Sequence, residues 1–301
     1  MKYDLITILG PTAVGKTKLA AKLAFRFNGE IVSADSRQVY KGMNIGTGKD
    51  YNDYFVNGHK VNYHLIDIVE PYEEFNLFLF KENFIKSFED IKGRDKLPFL
   101  VGGSGLYLSS ILQKYDLQKA DFESDEYDYL KLQSHENLKE QLKELNSDLH
   151  NTTDLTEKER TIKAIIIEKA KTLTSTISAE VNSLNIGIKL SREEIKSRIT
   201  QRLNERLESG MIDEVKNLVD SGISYERLNF FGLEYKFIGM HLRGELNYDD
   251  MFKKLNSAIH NFAKRQVTWF RKMEKEGTKI YWIDGQDYEN AVNIIKTELQ
   301  L

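Results

Sequence analysis

Gly10-Pro11-Thr12-Ala13-Val14-Gly15-Lys16-Thr17 decides how this chain is read. It matches the phosphate-cradling pattern GxxxxGK[ST], and its flanks supply the context that pattern requires. Upstream, Leu5-Ile6-Thr7-Ile8-Leu9 is a short apolar, β-branched run, the pattern of a buried strand. Downstream, Lys18 to Phe27 reads as a helix with Leu19, Leu23 and Phe27 on one face. Glu30-Ile31-Val32-Ser33 then reads as a second strand. Strand, loop, helix and strand at this spacing form a βαβ unit, which predicts an α/β fold.

The expected architecture is a P-loop NTPase-like parallel sheet flanked by helices, with further strands at Leu97–Val101, Ile186–Leu190 and Ile280–Ile283. Residues 118–149 are charged, helix-forming and poor in glycine, so they are expected as a small helical insertion domain. The core would then comprise 1–117 plus 150–301. Ser191 with Glu194 predicts a capping-box start for a helix through about Leu207, interrupted at Gly210, and another long helix is expected over Asp249–Glu276.

Within the glycine-rich loop, backbone N–H groups can converge on phosphate oxygens, and the helix N-terminus adds positive partial charge. Gly10, Thr12, Ala13, Val14, Gly15, Lys16 and Thr17 are therefore the candidate phosphate-binding residues. Lys16 supplies a point charge, and the Thr17 hydroxyl suits Mg²⁺. A nucleotide hydrolase would add an apolar strand ending in Asp to help hold that ion. Here Leu97–Val101 runs into Gly102-Gly103-Ser104-Gly105 instead, and His64-Leu65-Ile66-Asp67 is only a short substitute.

The bulk composition narrows the field. The chain has 301 residues, 41% hydrophobic and 30% charged, without the run of ~20 apolar residues that a membrane span needs. Its N-terminus lacks a signal-peptide pattern, so a cytoplasmic protein without a membrane role is expected. With no cysteine, disulfides, thiolate zinc sites and thiol chemistry are excluded, and the six histidines lack metal-ligand spacing. The net charge of −3 argues mildly against nucleic acid, although binding depends on where positive charge is concentrated. No coiled-coil seam or protein partner is evident, and a monomer is expected.

Three further segments carry chemistry. Asp35, in Ser33-Ala34-Asp35-Ser36-Arg37-Gln38-Val39-Tyr40, follows a strand and would face the ligand crevice. It reads either as a general base beside bound phosphates or as a helix cap or a group behind bound Mg²⁺. Ser104 reads as a donor to a phosphate oxygen or as a turn serine. Lys264-Arg265-Gln266-Val267-Thr268-Trp269-Phe270-Arg271-Lys272 mixes four cations with two aromatics. On a helix Arg265 shares a face with Trp269, and Lys264 with Arg271. That face suits phosphates and an unpaired base, or else a solvated helix whose Trp269 and Phe270 pack on the core.

Taken together these segments, with Lys41–Lys49, Val101–Tyr107, Gln201-Arg202 onward to Glu214-Val215 and Ala263–Arg271, resemble the tRNA isopentenyltransferase family, the tRNA dimethylallyltransferases. They occur in family order and span nearly the whole chain, and the ordered set is far more specific than the P-loop alone. The resemblance implies transfer of a dimethylallyl group from dimethylallyl diphosphate to N6 of adenosine 37, in the anticodon loop of tRNA, with Mg²⁺ as cofactor. It makes Asp35 the catalytic base, with Lys16 and Ser104 beside the departing diphosphate. It assigns tRNA contacts to Asp35, Ser36, Arg37, Gln38, Arg160, Lys163, Lys264, Arg265, Trp269 and Arg271. It also carries the family's nucleotide- and ATP-binding description.

The chain departs from the family pattern at Lys163, where many members have arginine, and around Phe231 and Glu234, where members often have an arginine and Gly-Tyr. It lacks the cysteine-bearing zinc finger of longer eukaryotic members, which implies a compact bacterial type. The alternatives are an adenylate isopentenyltransferase acting on free nucleotide, a small-molecule P-loop kinase, and a non-catalytic RNA-binding protein that senses a nucleotide.

Overall fold

The computed structural model describes residues 2–115, 117, 120–122, 124–145, 155, 157–170 and 180–301. The chain divides into two compact units, Met1–Lys114 with Glu180–Leu301, and Tyr115–Ala179. The stretch 118–149 falls within the second unit, which continues to Ala179. The boundary expected at 149–150 lies outside the described residues.

The first unit begins with β1 (Leu5–Leu9), α1 (Lys16–Arg26) and β2 (Gly29–Ala34). A hairpin of β3 (Phe55–Val56) and β4 (His59–Lys60) precedes β5 (Tyr63–His64), α2 (Leu77–Gly93), β6 (Leu97–Gly102) and α3 (Gly105–Leu112). The second unit holds α4 (Asp125–Leu132), α5 (His135–Leu145) and α6 (Lys158–Ala170) around Tyr127, Leu130, Leu138, Leu142, Ile162 and Ile165. The first unit resumes with β7 (Ser183–Lys189), α7 (Arg192–Glu208), α8 (Met211–Asp220), α9 (Tyr225–Phe230) and α10 (Leu233–Leu242). It ends with α11 (Tyr248–Lys275), β8 (Ile280–Asp284) and α12 (Tyr288–Leu299).

Six strands form one sheet in the order β5-β2-β6-β1-β7-β8, and every neighbouring pair is parallel. β1 is buried along its whole length, as a strand covered on both faces must be. α1 and α12 contribute Leu19, Ala20, Leu23, Ala291, Val292 and Ile295 to the core around Ile6, Ile8, Ile31 and Ile186. α2, with Phe80, Phe84 and Phe88 buried, lies against β2 and β6. Among the described residues no helix is long and apolar enough to cross a membrane.

Register fixes where the functional loops emerge. Leu9 and Ala34 both pair with Gly102, so β1, β2 and β6 end level. The loops that follow them therefore leave the same carboxyl edge of the sheet, where open α/β sheets bind ligands.

Most element expectations hold with small shifts. α1 starts at Lys16 rather than Lys18, because Gly15, left-handed at φ +82°, serves as its N-cap. α7 has the expected capping box between Ser191 and Glu194, and Gly210, at φ +93°, separates it from α8. Sequence reading leaves α2 unassigned, although Phe80, Phe84 and Phe88 recur at helical spacing.

Candidate active site

The edge formed by β1, β2 and β6 opens into a cavity of about 570 Å³, within the range of ligand sites. The described residues that line it belong to the first unit. The loop after β1 lines it through Thr12, Ala13, Gly15, Lys16 and Thr17. Of the other loop candidates, Gly10 adopts φ +156° and Val14 is buried in the core. Ala13 is held at φ +65°, a left-handed conformation that costs an alanine energy and bends the loop.

Two long-range contacts hold this loop. Gln266 of α11 accepts a hydrogen bond from the Thr12 N–H at 2.8 Å and donates to the Gly103 carbonyl at 2.8 Å. It thus ties the β1 loop to the end of β6. Arg202 of α7 donates to the Thr12 hydroxyl at 2.7 Å.

Lys16 donates to the Pro11 carbonyl at 2.7 Å. Desolvation, reinforced by the positive charge of Arg202 and opposed by Asp35, pushes its ammonium down to about 7. Arg202 is itself pushed down to about 10, first by burial and then by Arg206. Cations this poorly compensated favour an anionic ligand.

The β2 loop supplies Asp35, half-buried on the cavity wall. Its Oδ1 accepts from the Arg37 N–H at 2.9 Å and the Gln38 N–H at 3.4 Å, as an Asx turn does. Oδ2 takes neither bond, so capping the turn and facing the cavity coexist in one side chain. Ser104 is the N-cap of α3, yet its side chain makes no capping bond; its Oγ accepts from the Ser36 N–H at 3.3 Å. Asp35, Ser36, Ser104 and the P-loop thus share one wall.

α11 also lines the cavity, through Arg265 and Trp269. Trp269 also donates its indole N–H to Ser109 Oγ at 2.9 Å, so the ring packs against α3 while remaining half-buried at the cavity wall. Lys264 and Arg271 are exposed on α11, outside the lining. Arg37 and Gln38 both line the cavity, Arg37 with its guanidinium 4.7 Å from the Phe230 ring centre. Arg160 and Lys163 lie on α6 in the second unit, where Lys163 pairs with Glu159 at 3.5 Å.

Phe231 and Glu234 line the cavity as well. Phe231 packs edge-on against Tyr40 at 5.0 Å, and burial raises the Glu234 carboxyl against the opposing pull of Arg206. Asp67 lies outside the lining and pairs with Lys49 and Tyr51. It braces a loop instead of holding an ion at the phosphate cradle.

Sequence reasoning missed Gln266, Arg202 and Arg206 as wall residues. The available signal for Gln266 was its place in the buried stripe Met251, Leu255, Ile259, Ala263, Gln266, Phe270, Met273, where an amide requires partners.

Thr17, Asp50 and Asp53 put hydroxyl and carboxylate oxygens on the same cavity. Burial, then repulsion from Asp50, raises the Asp53 carboxyl against the opposing pull of Lys18 and Arg202. These hard donors suit Mg²⁺. Among the described residues no group of three or more His, Cys, Asp or Glu could hold a metal.

Comparison with known proteins agrees with this geometry. A family model of IPP transferases matches residues 38–273, and one of isopentenyl transferases matches residues 3–67. The chain is 50% identical over 299 residues to tRNA dimethylallyltransferase 1 of Geotalea uraniireducens, covering 98% of each chain. It is 48% identical over 287 residues to tRNA dimethylallyltransferase 2 of Pelobacter propionicus, covering 94% of this chain and 90% of that one. The crystal structure of the full-length tRNA isopentenylpyrophosphate transferase from Bacillus halodurans matches with a TM-score of 0.71 and 31% identity, over 99% of this chain and 97% of that one.

Proposed function

This chain belongs to the IPP transferase family, and from that premise we propose that it transfers a dimethylallyl group from dimethylallyl diphosphate to N6 of adenosine 37 in tRNA, releasing diphosphate. The observation that carries this reading is that one cavity is lined by the phosphate cradle, Asp35, Arg265 and Trp269 together.

The donor's diphosphate would rest on the amides of Ala13 to Thr17, with Lys16 and Arg202 as cations. As the allylic C–O bond breaks, negative charge grows on the diphosphate, and these groups hold it more strongly than in the ground state. The exocyclic N6 attacks the cationic allyl carbon, and a C–N bond replaces the C–O bond. Asp35 Oδ2 accepts the N6 proton while Oδ1 keeps the turn in place. The Ser104 hydroxyl stands beside the diphosphate.

Thr17, with Asp50 and Asp53 as additional oxygen donors, would hold Mg²⁺. When bound, the ion supplies positive charge to the diphosphate. To reach this cavity adenosine 37 must leave its stack. Arg37, Gln38, Arg265 and Trp269 would then receive the base and the adjoining backbone, with Lys264, Arg271, Arg160 and Lys163 contacting phosphates elsewhere. A cytoplasmic monomer completes the reading.

An anticodon stem-loop RNA containing adenosine 37, incubated with Mg²⁺ and dimethylallyl diphosphate, should gain one dimethylallyl unit by mass spectrometry. Asp35→Asn should lower the rate by roughly 10²-fold or more. Modification of free AMP but not RNA would favour the adenylate enzyme. Undiminished turnover in Asp35→Asn would remove Asp35 as the base.

A further inference from the structure

The loop between Lys41 and Lys49 forms part of the cavity wall through Gly46, Thr47 and Gly48. It is held by a carboxylate from far along the chain. Glu214 of α8 accepts from the Asn44 and Ile45 N–H groups at 2.7 Å each through Oε2, and from the Gly46 N–H at 3.0 Å through Oε1. The Tyr235 hydroxyl adds a fourth bond to Oε1 at 2.7 Å. Three successive amides converging on one carboxylate form an anion nest, and charge-assisted bonds of this kind are stronger than neutral ones.

The seat is also shaped to the loop. A Cβ at Gly46 would lie 2.6 Å from the Tyr235 ring, and one at Gly48 would lie 1.7 Å from Arg206 Nη2. At Gly46 the buried Tyr235 ring leaves no room for a side chain, whereas at Gly48 the tip of Arg206 would have to move aside.

The loop in turn holds the Asp35 turn. Gln38 Nε2 donates to the Gly48 carbonyl at 3.0 Å, and Gln38 Oε1 accepts from the Ser33 hydroxyl at 3.0 Å. The Gln38 backbone N–H closes the turn on Asp35. Hydrogen bonds joined by the loop backbone and the Gln38 side chain thus link Glu214 to the carboxylate read above as the base. The phosphate cradle is anchored separately, through Gln266 and Arg202 on Thr12.

We infer that Glu214 is a positioning residue for the acceptor side of the site, setting the Gln38–Asp35 turn without touching the donor cradle. The inference rests on the proposed transfer to RNA for its kinetic consequence, but not for its structural one.

In Glu214→Gln the loop remains tied at Lys49, through Asp67 and the Tyr40 carbonyl, so the fold should survive. Hydrogen exchange of full-length protein should show faster exchange at the amides of Asn44 to Gly46 than in wild type. With the stem-loop RNA, acceptor kcat/KM should fall roughly tenfold while the donor KM stays within about twofold. Tyr235→Phe, which leaves the three amide bonds, should give a smaller effect in the same direction.

Unchanged exchange at these amides would overturn the inference. So would an unchanged acceptor kcat/KM, or a donor KM that rises in parallel. If wild-type protein does not modify RNA, the functional reading fails, and with it the acceptor role; the exchange comparison still decides the clamp.

Discussion

Lys16 donates to the Pro11 carbonyl in a pocket that removes its water and brings Arg202 close, which lowers its affinity for a proton to about 7. An anionic ligand acts in the opposite sense and should raise that value. Above pH 7 the free protein holds Lys16 largely neutral, so binding of an anion should be accompanied by proton uptake there. NMR of the lysine ε-methylene signals should show one that titrates near pH 7 and is absent from Lys16→Arg. With inorganic diphosphate the midpoint should move upward by a unit or more, roughly. A Lys16 signal that titrates near the ordinary lysine value in the free protein would count against this account. The motif made Lys16 legible in sequence. Its lowered proton affinity was not, because it comes first from burial in the folded chain and then from Arg202, which reaches it from another part of the chain.

At the scale of elements, α11 does two jobs on neighbouring faces. Its apolar stripe packs into the core, and Gln266 interrupts that stripe to bond Thr12 and Gly103. Gln266→Leu keeps the volume but removes the partner of the part-buried Thr12 N–H and of the buried Gly103 carbonyl, a loss of about 1–3 kcal/mol. The donor KM should rise roughly tenfold, and the acceptor KM should change little, the reverse of the pattern expected for Glu214→Gln. Equal effects on both substrates would show that the two sides of the cavity are not held independently. The helix itself was readable from its 3.6-residue pattern, as were the charges of Lys264 to Arg271. Which of those charges reach the cavity depends on how α11 lies against α3 and α10: Arg265 does, whereas Lys264 and Arg271 remain outside its lining.

Across the whole molecule, the sheet is pinned on one side by Glu30, buried on β2. It takes Lys96 and Arg94 at 2.8 Å each, His64 Nε2 at 2.8 Å and the Asn62 amide at 3.1 Å, linking β2 to the segments around β5 and β6. Burial pushes this carboxyl up, but the bonds from Lys96, His64 and Asn62 outweigh it and hold the group at about 2, against an ordinary value of 4.5. A carboxyl depressed by folding stabilises the protein above its unfolded value and loses that contribution as pH falls through its folded one. Glu30→Gln should therefore cost about 2 kcal/mol near neutral pH. The gap in thermal midpoint between variant and wild type should close between pH 4.5 and 2. A gap independent of pH would refute the assignment. The sequence by itself determined the cradle, the strand before it, the helix after it and the order of family segments. Those features depend on residues adjacent in the chain, whose glycine conformations, β-branching and cap chemistry act locally. Only the tertiary structure decided which distant side chains complete the site. Gln266 meets Thr12 across 254 positions, Arg202 meets it across 190, and Glu214 meets Asn44 across 170. Partners so far apart leave no periodicity to read, because strand register and helix packing bring them together only once the chain has folded.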